Sequence, residues 1–130
     1  MHPLRNLGLL LGRFLIAAVF IFDATVIVRS PDSTIAAVAG LGLPGQLAWL
    51  VALGQFVGGI LIVAGLWTRL SALAFAAFCV ATALLFHGNL ASTNEVIQAG
   101  KDLAIAGGFL FLASAGPGAW SVDGRRRSVV

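Results

Sequence analysis

From Leu47 to Trp67 the chain carries no charged side chain, and Gln55 is its most polar group. As a helix that stretch is about 32 Å long, close to the hydrocarbon thickness of a bilayer. Three other stretches read alike. Leu7 to Val28 is interrupted only by Arg13 and Asp23, Leu70 to Phe86 ends at His87, and Thr93 to Ala115 carries its charged groups in its first half. With 59% hydrophobic and 10% charged residues, 130 residues offer too little interior to hide four such runs from water. The pattern excludes a water-soluble globule, a disordered chain and a nucleic-acid-binding domain. The first run is too long for a cleavable signal peptide and lacks a small-x-small site after it.

The expected fold is all-α, an integral membrane four-helix bundle in a single transmembrane domain, residues 1–130. Its helices are predicted at about 7–28, 47–67, 70–87 and 93–115. The last is delimited by its caps, because the uncharged run from Leu103 to Ala115 cannot cross a bilayer alone. Ser92 with Glu95 forms a capping box that starts a helix, and Gly116-Pro117-Gly118 stops it. The one long connection, residues 29–46, holds a short interfacial segment at 31–39 opened by Ser30-Pro31. The tight turn at Thr68-Arg69 makes the second and third helices antiparallel neighbours.

Charge sets the orientation. Arg5, Arg69 and Arg125 to Arg127 fall on one side, and Arg13 snorkels toward it, whereas the other side holds Arg29, with Lys101 sunk in the fourth helix. The positive-inside rule then places both termini in the cytoplasm, N-in and C-in. Trp49, Trp67 and Trp120 fall at helix ends, where interfacial aromatics sit.

VGGILIVAG (Val57–Gly65) resembles AGGFLFLAS (Ala106–Ser114), and GRFLIAAVF from Gly12 resembles TRLSALAFAAF from Thr68. Two parallel-repeat helical hairpins fit that pattern. Gly54, Gly58, Gly59, Gly107 and Gly108 serve close helix packing, either within the chain or between copies in a homo-oligomer. Cys79 stands alone in an apolar run and reads as a buried, inert thiol.

A charge in the bilayer centre needs a partner or a purpose. Arg13 and Arg69 are expected as anchors on the cytoplasmic side. Asp23, Gln55, His87, Lys101 and Asp102 all belong to the outer half and come from all four helices, with Asp23–Lys101 the expected ion pair. Two readings stay open. The cluster is a structural lock on helix register, or it lines an outward-facing pocket that binds a small headgroup or relays protons. The spacing supports no metal site, and no catalytic motif is present.

The segments LGRFLIAAVFIF (Leu11–Phe22), GLGLPG (Gly40–Gly45), QFVGGILIVAGLWTRLSALAFAAF (Gln55–Phe78), Phe86-His87 and KDLAIAGGFLFLASAGPGAWSVD (Lys101–Asp123) together resemble the DoxX family of small four-helix membrane proteins. Ile27 stands where many members have a lysine, and Gln55 where many have a glutamate. The resemblance implies a multi-pass protein of a bacterial or archaeal cytoplasmic membrane. It further implies an accessory or anchor subunit of a quinone-linked redox complex, with no intrinsic cofactor, a bound quinone or similar molecule in the pocket, and other membrane subunits as partners. The alternatives are a purely structural subunit or a small-solute transporter, which four helices could form only by oligomerising.

Overall fold

The computed structural model describes residues 2–129, and every regular element among them is a helix. In chain order these are α1 (Pro3–Arg29), α2 (Asp32–Gly40), α3 (Leu47–Ala64), α4 (Thr68–Phe86), α5 (Thr93–Ala115) and α6 (Val122–Ser128). Four of them, α1, α3, α4 and α5, are long and apolar enough to cross a bilayer. Within the most apolar window of each, 28% of residues in α1, α3 and α4 and 17% in α5 are buried inside the bundle. The remaining faces carry side chains such as Leu15, Phe22, Leu84 and Phe111, which only an apolar solvent accommodates in such numbers.

Local chemistry moves several boundaries from their expected places. α1 starts four residues before Leu7, because Pro3 supplies a fixed φ at the first helical turn. α3 stops at Ala64, short of Trp67. Gly65 is left-handed at φ +71 and its N–H returns to the carbonyls of Leu61 and Ile62, while the N–H of Leu66 also reaches Leu61. That Schellman-type closure ends the helix. α4 then starts at Thr68, and α6 is an element the sequence reading missed. Ser121 caps α6 by accepting the N–H of Gly124 at 2.9 Å, so the arginine run that looked like a tail is a helical turn.

α3 and α4 do follow each other antiparallel, yet each packs more extensively on another helix, α3 on α1 and α4 on α5. The bundle is therefore two packed pairs joined at their middle. Phe20 of α1, Phe75 of α4 and Phe109 of α5 meet at the junction, with ring centroids 4.5 to 5.5 Å apart. Ala17, Ile62 and Ala72 fill the core around them with no exposure.

Three of the five expected packing glycines admit a neighbour. A Cβ at Gly58 would come within 2.8 Å of the Phe75 ring, at Gly59 within 2.6 Å of Ile21, and at Gly108 within 3.1 Å of Ile16. Gly54 and Gly107 face open space within the protomer, so they thin no contact there. Gly107 lies one helical step, about 100°, from Gly108 and so turns off the packed face, whereas Gly54 lies a full turn before Gly58, beyond the reach of the Phe75 ring.

The basic end is closed by a knot of polar contacts. Arg13 is no snorkelling anchor: it is 1% exposed, and its guanidinium donates to the carbonyls of Val63 and Trp120. The long side chain reaches inward because the end of α3 and the 116–121 loop leave carbonyls unsatisfied by helix geometry. Arg69 is exposed. Asp123 accepts the N–H groups of Trp67 and Thr68 at 3.1 and 3.0 Å, which caps α4 from a distant turn and holds Trp67 at a left-handed φ of +48.

Partial burial alone would raise the Asp123 carboxyl, but these two backbone donors, aided by Arg126, hold it below the usual carboxylate range. Its stabilisation is therefore complete above the unfolded value near pH 4 and disappears as pH falls through the lower folded value. The Asp123 contribution to the thermal midpoint in detergent, read as wild type minus Asp123→Asn, should be constant from pH 7 to 5 and shrink below about pH 4. Asp123→Asn should lower the midpoint at pH 7 by the equivalent of about 1 kcal/mol and shrink the acid drop. An unchanged acid limb in that variant would remove Asp123 from the cap.

Candidate functional site

At the opposite end the packed pairs diverge. α1, α3, α4 and α5, with α2 across the mouth, enclose a cavity of about 510 Å³. Its apolar walls come from side chains such as Val19, Phe20 and Phe78, and its polar groups from four of the residues expected to converge: Asp23, Gln55, His87 and Asp102. Ser33 and Thr34 of α2 add hydroxyls at the rim, and Cys79, 2% exposed, lies in the wall.

The polar groups form two arms. On the α1–α3 side the Gln55 amide donates through Nε2 to Asp23 Oδ2 at 2.9 Å. That bond fixes the amide orientation, since a carboxylate offers only acceptors. Gln55 is 5% exposed, and its Oε1 is buried without a hydrogen-bond partner among the described residues. An unpaired carbonyl oxygen in lipid is costly and marks a place where a donor belongs.

On the α4–α5 side His87 stands between two carboxylates. Its Nδ1 lies 3.0 Å from Glu95 Oε2 and its Nε2 lies 3.9 Å from Asp102 Oδ2. Asp102 Oδ2 is also 3.0 Å from the Thr82 hydroxyl, whose single proton is shared with the Cys79 carbonyl at 2.9 Å. The imidazole and both carboxylates are a quarter to a third exposed. An imidazole with a carboxylate at each nitrogen can take a proton on one side and release it on the other.

Lys101 departs from expectation. It is exposed on the outside of α5 and makes no ion pair with Asp23. The reason is helix phase: Asp102 turns inward, and one residue earlier lies about 100° away. Asp23 takes its bond from Gln55 instead. Glu95 and Thr82 were missed as site residues. Glu95 does start α5 with its N–H on the Ser92 hydroxyl at 3.5 Å, but its carboxylate goes to His87 and leaves the reciprocal half of the capping box unmade. The signal was present, because Glu95 and Asp102 are seven apart and share one face of a helix over two turns.

Comparison with known proteins agrees with this architecture. The DoxX family model matches residues 8–88, more than half of the chain. The chain is 39% identical over 123 residues to inner membrane protein YqjF of Escherichia coli strain K12, covering 95% of each chain. It is 36% identical over 128 residues to inner membrane protein YphA of the same strain, covering 93% of this chain and 91% of that protein. No solved structure matches.

Proposed function

The chain belongs to the DoxX family, and from that premise we propose that its cavity takes the headgroup of a quinol or a similar lipid-soluble small molecule, on behalf of a membrane redox complex that brings its own electron carriers. The unpaired Gln55 Oε1 carries the reading. It asks for a donor, and the groups around it are mostly acceptors: Asp23, Asp102 and, through His87, Glu95. A hydroquinone offers two O–H donors on a flat apolar ring, which suits an acceptor-rich cavity with aromatic walls. A quinone offers none, so the site favours the reduced form. Lipid-soluble ligands also reach a cavity in the outer half without crossing water. His87 would exchange a ligand proton with the outer side through Glu95.

Purification in native membrane lipid, followed by extraction and chromatography, should recover quinol or quinone near one per protein. Asp102→Asn turns an acceptor into a partial donor and should weaken retention about tenfold, the size of one hydrogen bond to a charged group. Absence of any retained quinone, with no binding of added quinol by the purified protein, would overturn the reading. The rival reading, a structural lock, rests on the Asp23–Gln55 bond, which ties α1 to α3.

A further inference from the structure

The end of the bundle remote from that cavity holds a second feature, which neither the fold nor the proposed pocket uses. α6 returns the chain against the start of α4 and the end of α5, and two adjoining clefts of about 470 and 520 Å³ open on either side of it. Both are walled by Arg69, Pro117, Asp123 and Arg127; Arg126 lines the first. Fifty-odd residues of sequence separate Arg69 from the arginine run, and only the α6 turn brings them together.

The charge in these clefts is unbalanced. Asp123 is the one acid among the described residues that line them, and both its oxygens already accept backbone N–H groups from Trp67 and Thr68. Arg69 has no hydrogen-bond or ion-pair partner among the described residues, and its guanidinium lies along Gly116, where an added Cβ would sit 3.4 Å from Nη2. With Arg5 on the wall of the second cleft, four guanidinium groups therefore line a space that contains one engaged carboxylate among the described residues, and Arg69, Arg126 and Arg127 are the three that line the first. Guanidinium presents paired N–H donors that match two oxygens of a phosphate.

The surroundings identify which phosphate. The clefts lie where the spans end, at headgroup depth, on the side the positive-inside rule assigns to the cytoplasm. Trp67 and Leu70 flank the first cleft with 62% and 70% of their surface exposed, an apolar wall that runs down into the lipid-facing side of α4. A free phosphate would have no use for that wall, whereas an acyl chain would. We propose that this end is a binding site for the phosphodiester headgroup of an anionic phospholipid, gripped by Arg69, Arg126 and Arg127 with its chain along Trp67 and Leu70.

The test uses the full chain in mild detergent, equilibrated with mixed micelles of equal phosphatidylglycerol and phosphatidylethanolamine, with retained lipid counted by native mass spectrometry. Phosphatidylglycerol should be retained at least tenfold over phosphatidylethanolamine at low salt, and the preference should shrink as salt rises. Each charge removed should cost about fivefold, so R69Q/R126Q/R127Q should abolish the preference. If that variant fails to fold, R126Q/R127Q, confined to exposed positions on α6, should still remove most of the preference, at about fivefold for each charge. Equal retention of the two lipids, or a preference that survives these substitutions, would overturn the proposal. So would displacement of the lipid by millimolar inorganic phosphate or glycerophosphate, which would mark a soluble phosphate site instead.

Discussion

Gly65→Ala should destabilise the protein more than any other added methyl group, by about 3 kcal/mol or more. Two independent effects combine at this position. Gly65 is held at φ +71, a conformation that costs a residue with a Cβ about 1–2 kcal/mol. The new Cβ would also collide with Arg13 Nη1 and Ser121 Cβ. Arg13 cannot step aside freely, since its guanidinium holds the Val63 and Trp120 carbonyls from within a membrane span. Displacing it unpairs groups that have little water to turn to, at about 1–3 kcal/mol for each buried group left unsatisfied. Ser121 is equally fixed, because its hydroxyl caps α6 and donates to the Gly118 carbonyl.

The measurement is the unfolding midpoint in detergent by circular dichroism, with Gly54→Ala as control. Gly54 is helical and faces open space, so its alanine should be neutral or slightly stabilising. Arg13→Met keeps most of the volume but drops both hydrogen bonds, and should fall between the two. A Gly65→Ala protein that melts with the Gly54→Ala control would show that the Arg13 knot does not hold the basic end together.

These outcomes also mark where the sequence was readable. The four spans were, because a bilayer tolerates charge so poorly that apolar length alone outlines them, and α5 was found through Ser92 and Gly116 despite a charged first half. The two ends of α3 and α4 were less so. Trp67 looked like the last residue of one helix because it is apolar, whereas the left-handed Gly65 had already ended it. Arg13 was misread for a related reason. In an isolated span an arginine one turn from the interface snorkels outward. Here two carbonyls from elements 50 and 107 residues away turn it inward, and no local pattern announces them. The convergence of Asp23, Gln55, His87 and Asp102 was legible from depth alone, but the pairings were not. Depth says which residues share a layer. Helix phase says which of them face each other, and it sends Lys101 out and brings Glu95 in.

The Asp23–Gln55 pair decides between a lock and a ligand site, and a double-mutant cycle separates them. Asp23→Leu alone leaves both polar ends of the Gln55 amide unpaired in a buried position, and Gln55→Leu alone leaves Asp23 without its donor in the membrane. Each single variant should lose about 1–2 kcal/mol of stability, the upper part of the range for hydrogen bonds between membrane helices. The double variant removes both partners together and should recover most of that loss, since two leucines suit the apolar walls around them. If the pair is only a lock, ligand retention and assembly with partner subunits should recover along with stability. If the cavity binds a quinol through Gln55 Oε1, the double variant should fold as well as the wild type and still retain at least tenfold less ligand. Retained quinol equal to wild type in a stable double variant would remove Gln55 from the site. It would leave the α1–α3 bond as a device that sets the register of two helices and nothing more.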